Sequence, residues 1–248
     1  MKLLIKGIIS GGLMVVLTVM GACSGKKENK TVQRDYFAEL RDSVSSIKSE
    51  IDSCKNAMES IDHRRVEWSR DFTTIVNDRE VAPYSIFNSF ADKYPPKSTC
   101  VMARLAENGQ FELIGALTGS RFDRLSVTAA GETVSTATIA PDQARNYMAD
   151  GLNTVMFDGP EADNVGHLIA DNELDEITVT FLNGGRAVKM WKMPTDYAKM
   201  IMATYEYYAQ IKELDRLQRR IPMLERKLQI LNRHLVRSEI DRSPEGNR

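Results

Sequence analysis

Residues 37–61 read FAELRDSVSSIKSEIDSCKNAMESI, and the fold turns on this stretch. Its apolar positions, Phe37, Leu40, Val44, Ile47, Ile51, Cys54, Met58 and Ile61, follow at steps of 3-4-3-4-3-4-3. Apart from Ala38 and Ala57, polar and charged residues fill the gaps, and neither Gly nor Pro interrupts the run. Steps averaging about 3.5 residues hold one narrow stripe on a helix, which is the seam of a coiled coil. The register carries on through Arg65, Trp68, Phe72 and Ile75, so the first coiled-coil helix is expected over 35–76. The β-branched Thr73, Thr74 and Val76 work against its last turn.

The pattern returns near the C-terminus. Leu214, Leu217, Ile221, Leu224, Leu228, Leu231 and Leu235 repeat the 3-4 steps, and the register extends back through Gln210, Tyr207, Ala203 and Met200. A second coiled-coil helix is expected over 195–240. Pro222 lies inside it and costs about 3 kcal/mol in a helix interior. The register crosses Pro222 unchanged, which points to one kinked helix rather than two. Residues 241–248, with Ser243, Pro244 and Gly246, read as a disordered tail.

The two seams match as an antiparallel hairpin. With Ile51 opposite Ile221, Val44 meets Leu228, Cys54 meets Leu217 and Met58 meets Leu214, while Glu50 approaches Arg220 and Lys48 approaches Glu225. Exposed charge pairs of this kind contribute only tenths of a kcal/mol, so they select register while the aliphatic seam supplies the stability. At about 1.5 Å per residue, 25 to 40 residues give a stalk of roughly 40–60 Å. Self-association of either seam into a homo-oligomer is the competing arrangement.

Between the seams, residues 77–194 change character and are expected to form a β-rich head domain. Residues 81–96, with Pro83, Pro95 and Pro96, read as a linker-like approach. Residues 100–106 and 111–117 flank Asn108-Gly109, a strong hairpin signal. Residues 125–129 and 133–139 flank Gly131, and 177–182 and 187–193 flank Asn183-Gly184-Gly185, which makes two further hairpins. Residues 153–157 add a strand, and 141–149 and 161–171 read as short helices. The fold class is therefore α+β, a long antiparallel coiled-coil helical hairpin carrying a small β-rich sandwich or partly open barrel.

The N-terminus carries an address. Lys2 and Lys6 precede a run from Gly7 to Ala22 that holds no charge, right in length for a secretory signal and short for a membrane span. The run ends in Met20-Gly21-Ala22-Cys23 and gives way to the hydrophilic Ser24-Gly25-Lys26-Lys27-Glu28-Asn29-Lys30. This resembles the lipobox of bacterial lipoproteins, with Met20 where Leu is commonest and Gly21 where Ala or Ser is commonest. The lysine-rich stretch is similar to those of Bacteroidota-type lipoproteins. The resemblance covers the first 23 residues and implies a signal peptide over 1–22, cleaved between Ala22 and Cys23. Cys23 would then carry thioether-linked diacylglycerol and an amide-linked third chain. Residues 23–34 would be the lipidated N-terminus and a flexible tether. It further implies a protein held in the cell envelope, and Ser24 after the cysteine favours the outer membrane. An ordinary cleaved signal or an uncleaved anchor is the alternative reading of the same segment.

The chain has 248 residues, 42% of them hydrophobic and 27% charged, with a formal net charge of -1. That is enough apolar sequence for a core, and it gives no footing for nucleic acid as a partner. His63, His167 and His234 fall in separate segments without metal-ligand spacing, and no phosphate-binding glycine loop, Gly-x-Ser-x-Gly elbow or Cys-x-x-Cys occurs. No metal or cofactor is expected beyond the acyl chains on Cys23. Cys54 and Cys100 read as buried thiols, with a disulfide between them as the alternative in an oxidising compartment.

Residues 141–176 hold nine acids against Arg145, which suits either a cation site or a solvated face. Residues 211–242 hold nine bases against five acids, which suits either anionic headgroups or ordinary helix decoration. Met200, Ile201, Met202, Tyr205, Tyr207 and Tyr208 suit either a ligand patch or, the preferred reading, the place where the head meets the emerging helix. The functional expectation is a non-catalytic, membrane-anchored lipoprotein whose head binds a protein or other envelope partner. An envelope enzyme with its site in the head is the alternative.

Overall fold

The computed structural model describes residues 28–76, 82–142 and 144–240, with side chains from 36 to 239. These fall into two compact units: Ser46–Ile230, and the two helix ends 28–45 and 231–240. The protein is mixed α+β, with two antiparallel sheets and a long C-terminal helix.

Helix α1 runs Glu28–Ser69, so it starts inside the expected tether and stops seven residues short of the expected end. The backbone N–H groups of Arg70 and Asp71 close its last turns on the carbonyls of Glu67 and Trp68. Phe72–Ile75 then leaves the helix as strand β1. Phe72 and Ile75 continue the seam spacing, but Thr73 and Thr74 lie between them. These β-branched side chains lose little in a strand and gain ladder partners there.

Strand β2, Tyr84–Phe87, and a 3-10 turn, Asn88–Lys93, occupy the segment read as a linker. The remaining strands are β3 (Cys100–Ala106), β4 (Phe111–Thr118), β5 (Arg124–Ala129), β6 (Glu132–Ser135), β7 (Asn146–Ala149), β8 (Leu152–Phe157), β9 (Thr178–Asn183) and β10 (Arg186–Lys192). Helix α2 is Pro160–Asp171. Helix α3 is Thr195–Ile240 and continues through Pro222. The segment expected as a helix over 141–149 is instead a loop and strand β7. Asp150 and Gly151 both take positive φ, 49° and 76°, and make the tight turn that returns the chain as β8.

One sheet has six strands in the order β1-β2-β3-β4-β8-β7, and the other has four in the order β10-β9-β5-β6. Each long helix is joined directly to an edge strand, α1 to β1 through Arg70 and Asp71, and β10 to α3 through Met193 and Pro194. The six-stranded sheet turns Phe111, Leu113, Gly115 and Leu117 towards the other sheet and the helices. A Cβ on Gly115 would lie 2.9 Å from the ring of Phe122, which itself packs edge-on against Phe181 at 4.9 Å. In β5 and β9 the core residues Leu125, Val127, Val179 and Phe181 alternate with half-exposed ones. The start of α3 belongs to the same core, where Ala198, Met200 and Ile201 are buried.

Within Ser46–Ile230, α1 and α3 share a smaller cluster of Cys54, Ile61, Leu214 and Leu217, with Ala57, Met58, Ile221 and Leu224 beside it. Glu50 pairs with Arg220, and Lys55 pairs with Glu225 at 3.6 Å. The expected partner of Glu225, Lys48, lies one heptad away. The ring of Trp68 meets Tyr207 at 6.3 Å, where Arg65 was expected, and Phe72 meets the same ring at 4.9 Å. The Glu50–Arg220 pair is the one expected with Ile51 opposite Ile221, whereas Lys55–Glu225 and the two rings on Tyr207 join residues that this alignment does not pair.

Candidate functional site

Ala22 and Cys23, the residues of the expected cleavage and lipidation site, lie outside the described residues. Of the seam positions, Phe37, Leu40, Val44, Ile47, Ile51, Cys54, Ile61, Leu214 and Leu217 are buried. Met58, Ile221, Leu224, Leu228, Leu231 and Leu235 are half-buried.

A group of polar side chains lies where α2 meets α3. Gly166 permits that approach, because a Cβ there would come within 2.7 Å of both Phe111 and Tyr205. Tyr205 and Tyr208, one turn apart on α3, meet the ring of Phe111 at 5.4 and 5.7 Å. The Tyr208 hydroxyl donates to Asp163 Oδ2 at 2.7 Å, and Lys212 Nζ donates to the same oxygen at 3.0 Å. One face-on neighbour completes the group: His167 stacks on Tyr205 at 5.8 Å and approaches Asp171 at 3.2 Å.

Burial and hydrogen bonding shift two ionisable side chains of this group upwards. Burial and then the bond to Asp163 push the Tyr208 phenol up, so it stays protonated. The bonds to Asp163 and Tyr208 push the Lys212 ammonium up, which keeps its lone pair engaged. Elsewhere, burial pushes the Cys100 thiol up to about 12. These shifts run opposite to those that make a phenol, amine or thiol nucleophilic. Partial burial beside Glu173 pushes the Glu206 carboxyl up, although that side chain keeps much of its surface in water.

A second group sits on the far face of the six-stranded sheet. The Asn108-Gly109 hairpin sets the register that puts Arg104 opposite Glu112. Arg104 Nε donates to Glu112 Oε2 at 2.6 Å, Nη1 donates to the Tyr94 hydroxyl at 2.8 Å, and the guanidinium lies 4.3 Å from the ring centroid of Tyr84. Its side chain is 8% exposed, and Met156 Sδ caps Nη2 at 3.3 Å. This cationic group was missed in the sequence. A lone Arg inside the apolar run 100–106, with a Glu in the hairpin-related position, was the available signal.

The acids of 141–176 are distributed rather than gathered. Asp142 accepts from the backbone N–H groups of Arg145 and Asn146, which holds its carboxyl below the usual range. Asp158 pairs with Arg145, and Glu176 pairs with Lys192 at 2.8 Å. Among the described residues, no group of three or more His, Cys, Asp and Glu side chains converges as a metal site. No helix among them is long and apolar enough to cross a membrane. No family model matches the chain, and neither a curated protein nor a solved structure shows significant similarity to it.

Proposed function

We propose that the protein is a lipid-anchored component of the bacterial cell envelope. It displays a β-rich, barrel-like head on an antiparallel coiled-coil hairpin, and the head binds a protein or other envelope partner. The observation that carries the anchor is the uncharged run behind Lys2 and Lys6 that ends in Met20-Gly21-Ala22-Cys23. Two or three acyl chains on Cys23 would make a stable attachment, at about 0.8 kcal/mol per buried methylene. The α1–α3 cluster around Cys54 and Leu217 supports the hairpin within Ser46–Ile230, and the Arg41–Glu239 ion pair at 3.4 Å supports it at the helix ends.

Metabolic labelling with an alkyne fatty acid in a bacterial host tests the anchor. The wild-type chain is expected to take up label and sediment with membranes. Cys23→Ala should lose the label and accumulate as precursor or as a soluble protein. Undiminished labelling of Cys23→Ala would overturn the reading.

A further inference from the structure

Helix α3 carries two stripes. Between Arg216 and Ile230, Leu217, Ile221, Leu224 and Leu228 occupy the seam. On the opposite side Arg216, Arg219, Met223, Arg226 and Ile230 follow at steps of 3-4-3-4, with Lys227 beside them. All six are exposed, Met223 at 67% and Ile230 at 48%. Glu225 is the only acid in this stretch, and Lys55 holds it. Arg216 is held by Glu213 and Arg220 by Glu50, with Asp215 just before the stretch. Among the described residues no carboxylate pairs with Arg219, Arg226 or Lys227.

We propose that this outward stripe is a peripheral docking surface for an anionic lipid bilayer. Arg219, Arg226 and Lys227 would meet phosphodiester headgroups, while Met223 and Ile230 enter the boundary with the acyl chains. Long cationic stems suit this, because they reach the headgroups while their methylenes cover apolar surface. The order of residues favours lipid over a partner helix. Every apolar position on the stripe is flanked by Arg one turn away, which leaves no continuous seam for a third helix to fill. The inference deepens the lipid-anchored reading and rests on it for which membrane is met, but the binding itself does not need the anchor.

The test uses the full chain with Cys23→Ala, so acylation cannot contribute. Its co-sedimentation is measured with phosphatidylcholine vesicles, with and without roughly a third phosphatidylglycerol. The apolar run 7–22 contributes equally to every variant. The chain is expected to prefer the anionic vesicles, and the preference should collapse as salt rises from about 0.05 to 0.5 M. Arg219→Gln, Arg226→Gln and Lys227→Gln together should lower binding to the anionic vesicles roughly 100-fold and leave the neutral ones unchanged. Met223→Gln with Ile230→Gln, which keeps the charge, should also weaken anionic binding. Circular dichroism checks that each exposed variant folds.

Equal binding to both vesicles, or an unaffected triple variant, would overturn the proposal. So would capture of polyglutamate by the stripe without vesicle preference, which would assign it to an acidic polypeptide. Acylation at Cys23 without this preference would sink the stripe and leave the anchor standing, and the reverse result would do the opposite.

Discussion

The two sheets bury their far faces differently. In the six-stranded sheet the side pointing away from Phe111 and Leu113 is nearly as dry as the side carrying them. Met102, Ile114 and Ala116 are each 0–1% exposed there, and Arg104 lies among them with its own carboxylate and aromatic partners. In the four-stranded sheet the corresponding side carries Ser126, Thr128, Thr178 and Thr180, all half-exposed and aligned across β5 and β9. A face that is covered must be apolar or fully paired, whereas a face in water can be lined with hydroxyls. The same backbone architecture therefore supports two chemistries, and substitutions should separate them.

The largest effect should come from Arg104→Ala, which leaves the part-buried Glu112 carboxylate without its cation. A loss of about 3–5 kcal/mol in urea unfolding is expected. Pairing Arg104→Met with Glu112→Leu should recover most of it. A double variant as unstable as the single one would show that the pair does more than neutralise itself. Next, Ile114→Ala should cost about 2–5 kcal/mol and Thr180→Ala no more than about 0.5 kcal/mol. Similar losses at the two positions would erase the contrast between the sheets.

The smallest effect concerns a carboxylate that is only partly sheltered. The Glu206 carboxyl is pushed up in the folded chain, so at neutral pH folding opposes its charge. Glu206→Gln should therefore raise Tm slightly at pH 7. The gap should close as pH falls through the raised folded value to the ordinary carboxylate value. A gap that widens on acidification would contradict the assigned cause.

The contrast also explains what could be read in advance. Strands β5 and β9 alternate, and β3 and β4 are bounded by Asn108-Gly109, so their hairpins were legible from local pattern alone. β7 reads as a helix because its few apolar residues fit either period, although Asp150-Gly151 between two short runs is a turn signal. β1 reads as the end of the first helix because Phe72 and Ile75 keep the heptad step, and their pairing with β2 decides against it. The Asp163–Tyr208–Lys212 group joins residues 45 or more positions apart, and no periodicity encodes that contact.

The splice of α1 into β1 has a mechanical consequence. Tension carried along α1 reaches a four-residue edge strand whose ladder joins it only to Tyr84–Phe87, with the ring of Phe72 on Tyr207 as its hold on α3. The other long helix meets no such weak seam. Its first turns are wedged into the core through Ala198, Met200 and Ile201, so a pull on α3 must disturb many contacts together. Under load the chain has an end that yields and an end that holds, and the yielding end is the one that follows the proposed lipid.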